Sequence, residues 1–152
     1  MDRLKYPPLA LPAYAPKVRS LGEQIQIFDP FRRKFVMLTP EEWVRQHFAH
    51  YLTETLNYPA TRLHLEFQIR YQRRIKRPDI AVINDHGEIE ILVECKAPNV
   101  RLDENVFLQV STYFSVLKPT CLVMTNGIQH VFAMAKPNSS EFVYIKELPP
   151  FR

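Results

Sequence analysis

The sequence predicts a mixed α/β domain: a central mixed sheet flanked by helices, with additional edge strands. Three observations predict it. Thr39-Pro40-Glu41-Glu42 joins an N-cap residue, a proline at the first helical position and a glutamate three residues after the cap, which together mark a helix start. Asn84-Asp85-His86-Gly87 carries turn chemistry between two apolar runs and predicts an antiparallel hairpin. Beyond that hairpin, Val106, Val110, Tyr113, Phe114 and Leu117 recur at helical spacing before another apolar run. A helical crossover of this kind lets the strands before and after it lie parallel.

Taken in order, residues 1–20 hold Pro7, Pro8, Pro12 and Pro16, which excludes a regular helix or central strand and predicts an extended arm. Residues 21–152 are expected to form a single domain, long enough to bury one sizeable core. Glu23 to Leu38 reads as two short strands around Asp29-Pro30. The capped helix should run from Pro40 to about Leu56. Arg62 to Tyr71 alternates, with Leu63, Leu65, Phe67, Ile69 and Tyr71 on one side and His64, Glu66, Gln68 and Arg70 on the other, as a half-buried strand would. After the hairpin, the second helix should span about Asp103 to Leu117. Strands are then expected over Thr120–Thr125, Gln129–Ala135 and Phe142–Lys146, with a turn at Pro137-Asn138-Ser139-Ser140 between the last two.

Composition narrows the function classes. An apolar share of 46% and an aromatic share of 12% exclude a disordered chain. With three glycines and no GxGxxG or GxxxxGK, there is no Gly-rich nucleotide loop. A formal charge of +4 hints at a polyanionic partner. Cys95 and Cys121 have neither zinc-site spacing nor disulfide density, and the five histidines show no metal-ligand spacing. The early apolar stretch YPPLALPAYAP is broken by prolines and is no signal sequence, and no apolar run could span a bilayer. A cytoplasmic protein with no membrane partner is therefore expected.

The chemistry concentrates between Arg77 and Lys96. Successive strand residues point to opposite faces, so Glu94 and Lys96 project together while Ile89, Ile91, Val93 and Cys95 take the other face. Asp79 begins the preceding strand, and a hairpin roughly symmetric about its turn brings it close to Glu94. Two carboxylates that near repel unless something positive lies between them. Lys96 supplies one charge, and a hard divalent cation with oxygen ligands would supply another. Taken alone, Glu94 and Lys96 would also serve as a solvated cross-strand ion pair.

Asp79 followed by Glu94-Cys95-Lys96 resembles the PD-(D/E)xK nuclease signature. More narrowly, IFDPFRRKFVMLTPEEWVRQH, the hairpin and then Gln109 and Tyr113 resemble the N-terminal nuclease domain of type I restriction enzyme R subunits, from roughly Ile27 to Gly127. The resemblance implies a restriction-endonuclease-like fold and a magnesium-dependent DNA endonuclease, with manganese as a substitute metal; the sequence departs from those subunits in carrying no helicase motor. Asp79 and Glu94 would ligate the metal, with the Cys95 carbonyl as a further oxygen ligand. Lys96 would orient the attacking water and stabilise developing negative charge.

A carboxylate from the first helix would complete the acidic set. Glu42 sits at the reciprocal capping-box position, which offers it a structural task. Glu41 lies at helical spacing with Val44, Arg45 and Phe48 and is the expected choice. Gln109 and Tyr113, four apart, resemble the QxxxY element of RecB-like nucleases: Gln109 would support the catalytic centre and Tyr113 would hold nucleic acid. Tyr113 also fits an ordinary apolar stripe. Arg73, Arg74, Lys76 and Arg77 are either phosphate contacts or a solvated loop. DNA is the implied partner, alongside restriction-modification subunits; duplex cutting would need either two active sites, which a homodimer would supply, or two successive nicks. The competing expectation is a catalytically silent nucleic-acid-binding or assembly module that keeps the fold.

Overall fold

The computed structural model describes residues 6–139 and 141–152; the first five residues of the expected arm and Ser140 of the expected turn lie outside them. β1 (Val18–Leu21), β2 (Gln24–Asp29) and β3 (Lys34–Met37) form an antiparallel sheet in that order. The first strand starts inside the segment read as an arm. Pro16 is the last proline before it, so the amides from Val18 onward are free to pair.

Helix α1 (Pro40–His50) begins as its cap dictates, with the Thr39 hydroxyl oxygen accepting the Glu42 amide at 3.1 Å. A π-helical turn over Tyr51–Thr55 carries it to the predicted end near Leu56. Helix α2 (Glu104–Phe114) is capped in the same way by Asp103, which accepts the Val106 amide at 2.9 Å.

The expected strand from Arg62 to Tyr71 is two strands. β4 (Leu63–Leu65) ends at Glu66, whose φ of 52° takes the chain out of the extended region. β5 (Ile69–Tyr71) then turns at Gln72, with φ 54°, to pair with β6 (Arg74–Lys76) as a separate hairpin. Alternation persists through the break, so it could not reveal it. Phe67 and Tyr71, expected on a buried face, are exposed.

The central sheet has the order β11-β10-β9-β8-β7-β4, where β7 is Ile80–Ile83, β8 Ile89–Cys95, β9 Cys121–Thr125, β10 His130–Ala135 and β11 Phe142–Ile145. β8 and β9 are parallel across the α2 crossover, as expected, and the other neighbours are antiparallel. In the β7–β8 turn, the Asn84 side-chain oxygen accepts the amides of His86 and Glu88, both at 2.9 Å.

Helices cover both faces, so the middle strands are apolar on both sides. Ile91, Val93 and Cys95 pack with Val44 and Phe48 of α1 and with Leu52 of the π-helical turn that follows it. Leu92, Leu122 and Met124 pack with Phe107, Val110 and Phe114 of α2. The arm lies across one end of the α1 layer: Tyr6 stacks on Trp43, and the Ala10 amide donates to the Gly127 carbonyl at 2.7 Å. Gly127 has φ +86°, a backbone conformation that favours glycine, and a Cβ there would stand 2.7 Å from a Leu9 methyl, which would have to move aside. Among the described residues, no helix is long and apolar enough to cross a membrane.

Candidate active site at the end of the central sheet

The β7–β8 register pairs Ile80 with Val93, which sets Asp79 opposite Glu94 one step beyond the paired strands. Asp79 is buried and both of its oxygens are engaged. Oδ2 accepts the Cys95 amide at 2.7 Å. Oδ1 accepts Arg45 Nη2 at 2.5 Å and Nε at 3.1 Å. The Lys96 amide points the other way, donating to the Thr125 carbonyl at 2.8 Å. Backbone groups alternate along a strand, so the Cys95 N–H and C=O share the edge facing Asp79. The Cys95 thiol lies in the core, where burial above all pushes its pKa well up and leaves it inert.

Glu94 is the most perturbed carboxyl of the sheet end. Its pKa is pushed up to about 9, first by burial, then by the charge of Asp79 and a hydrogen bond with it; Lys96 and Arg45 pull it down without offsetting these. A value raised above the ordinary 4.5 means that the folded state favours the protonated acid. Glu94 therefore adds stability that is fully present below pH 4.5 and lost as pH rises through about 9. In EDTA, the melting temperature of the wild type should fall across that window more steeply than that of Glu94→Gln. Equal slopes would show that Glu94 is not held in this environment.

Of the two glutamates at the start of α1, the one turned inward toward the sheet end is Glu42, not the expected Glu41. Glu41 is exposed on the outer side of the helix, close enough to Tyr6 for its charge to help raise that phenol's pKa after burial. Glu42 is buried and accepts Arg45 Nη1 at 2.5 Å, Arg32 Nη2 at 2.7 Å and Gln46 Nε2 at 3.1 Å. The structural task that the capping box offered Glu42 is not taken up, because its carboxylate turns inward to the two arginines.

Arg32 also binds Asp29, and Arg45 reaches Glu66 at 3.0 Å. Burial works against the charge of Arg45, yet the charges of Asp79 and Glu42 outweigh it and raise its pKa. Asp29, Arg32, Glu42, Arg45, Glu66 and Asp79 thus form one connected network linking β2, α1, the end of β4 and the start of β7. The sequence reading passed over its two arginines. Their signal was present: Arg45 falls on the core-facing side of α1, and an ion on that side requires a buried partner.

Gln109 and Tyr113 are both exposed on α2 and line a groove with Arg74 and Lys76 of the β5–β6 hairpin. Among the described residues, no hydrogen bond links Gln109 to Asp79 or Glu94. Arg77 is exposed just beyond the hairpin. No group of three or more His, Cys, Asp or Glu residues is arranged to hold a metal ion among the described residues.

The comparison with curated proteins finds no match. A solved structure from Anabaena variabilis ATCC 29413, titled as a candidate nuclease belonging to DUF820, is similar at 11% identity with a TM-score of 0.43, over 85% of this chain and 80% of that one. The family model for the type I restriction enzyme R protein N terminus matches residues 40–149, from the first residue of α1 to beyond β11. With helix, hairpin, crossover helix and parallel strand all inside that span, the chain belongs to the type I restriction enzyme R protein N-terminal family.

Proposed function

We propose that this domain is a divalent-cation-dependent nuclease that hydrolyses DNA phosphodiester bonds. The observation that carries the reading is the end of β8, where Glu94 stands opposite Asp79 with a pKa pushed up to about 9. Two carboxylates in so poorly hydrated a place suit a small hard cation better than they suit each other. Asp79, Glu94 and the Cys95 carbonyl are all oxygen donors. Mg2+ is commonly bound by one or two carboxylates, with water and phosphate oxygens completing its octahedron, and Mn2+ would serve as a substitute.

The charge balance agrees. Among the described residues, the ion pairs of Asp29, Glu42, Glu66 and Asp79 run only to Arg32 and Arg45, a formal excess of two negative charges. When bound, such a cation supplies a water of lowered pKa and neutralises charge on the phosphate.

The chain's own residues orient the reaction. Asp79 is held on both oxygens, by the Cys95 amide and by Arg45, so it needs little reorganisation. Lys96 shares the Glu94 face of β8 and offers a compact charge on a flexible stem, suited to orienting the attacking water and to stabilising the phosphate as it gains charge. Arg45 acts as a positioning residue, and Glu42 holds Arg45 in place.

Supercoiled-plasmid nicking tests this. Wild type should relax plasmid in Mg2+ and not in EDTA, and Asp79→Asn should cut at least ~100-fold more slowly. Cleavage undiminished by that variant would overturn the assignment. One observation favours a second reading: Arg45 already places a cation on Asp79 Oδ1, as it would in a silent module that binds nucleic acid. Wild type that binds DNA in a salt-dependent way but never cuts it would make that module the better account.

A further inference from the structure

From Ile69 to Arg77 the chain carries five basic residues and no acidic one, more positive charge than the net +4 of the whole protein. Among the described residues, none of the five takes part in an ion pair. The segment is built, not loose. Its register pairs Ile69 with Lys76 and Tyr71 with Arg74, and cross-strand partners share a face, so these four look the same way. Arg74 and Lys76 line the groove opposite Leu108, Thr112 and Tyr113 of α2.

Lys76 is the telling residue. The residue is only 4% exposed, and its ammonium stands 3.5 Å from the centre of the Tyr113 ring with no carboxylate in ion-pair reach among the described residues. A covered cation held by an aromatic face alone lacks the counter-charge that such burial calls for. Tyr113 and Leu108 are exposed at 48% and 63%, so the groove also presents apolar and aromatic walls to solvent, and Tyr71, exposed at 40%, lies beside it on the same face of the hairpin as Arg74 and Lys76.

Basic rims with apolar, aromatic walls distinguish between forms of nucleic acid. A duplex presents an outer surface of phosphates, to which such walls offer little. An unpaired strand brings base faces that stack on tyrosines and phosphates that meet arginines. Lys76 lies only three residues before Asp79, so a strand seated in the groove is led toward the sheet end.

We propose that the β5–β6 hairpin and α2 form a clamp for single-stranded DNA. The clamp rests on the nuclease reading for the fate of the strand, not for its binding.

Fluorescence anisotropy in EDTA, with a labelled twenty-nucleotide oligothymidine and a duplex of the same length, tests binding apart from cleavage. The single strand should bind about 10-fold more tightly than the duplex. Tyr71→Ala should weaken single-strand binding by about 10-fold, the loss expected from one stacked base. The double variant Arg73→Ala/Arg74→Ala should lower the log–log salt slope by about 1.4, two phosphates' worth. All three residues are exposed, and unchanged circular dichroism and melting would confirm the fold.

Equal or tighter duplex binding would overturn the clamp, as would hairpin variants that fold and bind like wild type. Binding as expected by a protein that never cuts would keep the clamp and remove the nuclease reading. Mg2+-dependent cutting with unaltered binding by the hairpin variants would do the reverse.

Discussion

Arg45→Met is expected to lower the unfolding free energy by about 3–5 kcal/mol, the scale of breaking a buried ion pair from one side. The size follows from what stays behind. Asp79 loses both contacts on Oδ1, Glu42 loses its 2.5 Å partner, and each carboxylate is left buried with less positive charge around it. Methionine keeps much of the stem's volume, so the loss reports on charge more than on packing. Adding Asp79→Asn to Arg45→Met should recover part of the stability, because the second change removes one of the stranded charges. Urea denaturation of the wild type, both single variants and the double variant gives the coupling between them. A loss below ~1 kcal/mol for Arg45→Met would show that water, not Arg45, satisfies the Asp79 carboxylate.

Lys96→Ala is expected to reduce the single-turnover cleavage rate by ~10²–10³-fold, the range found when one preorganised stabiliser of developing charge is removed. DNA affinity in EDTA should change little. The side chain sits beside Glu94 at the sheet end, apart from the basic residues of the β5–β6 hairpin that are proposed to hold the strand. Lys96→Arg should not restore the rate, since a planar fork cannot occupy the place of a compact ammonium. A Lys96→Ala protein that cuts at the wild-type rate, or loses cutting only in proportion to lost DNA binding, would remove Lys96 from the chemistry.

The elements that the sequence made legible are those with punctuation of their own. Thr39 and Pro40 fixed the start of α1, Asn84 to Gly87 fixed the β7–β8 hairpin, and the apolar spacing of α2 implied the parallel β8–β9 pair. Asp79 and Glu94 were expected together because a symmetric hairpin leaves little choice, and the register sets them opposite each other one step beyond its last pair, Ile80 with Val93. What stayed hidden had no local signal or had a misleading one. Glu66 breaks a strand at a left-handed residue that is not glycine, within an alternation that continues on both sides. Spacing alone assigned Glu41 to the inner face of α1, yet only Glu42 meets the two arginines there, one of them supplied from the segment after β2. Long-range ion pairs of this kind leave no period in a sequence.

The family match opens at residue 40, but the folded unit does not. Asp29 and Arg32 precede that position and complete the charge network, and Ile27, Leu9 and Leu11 bring apolar surface to the interior from the same side. A proteolytic fragment beginning at Pro40 would keep every residue proposed for catalysis while leaving Glu42 without one arginine and part of the α1 layer wet. Protease resistance in this domain should therefore extend well upstream of the residues that define its family.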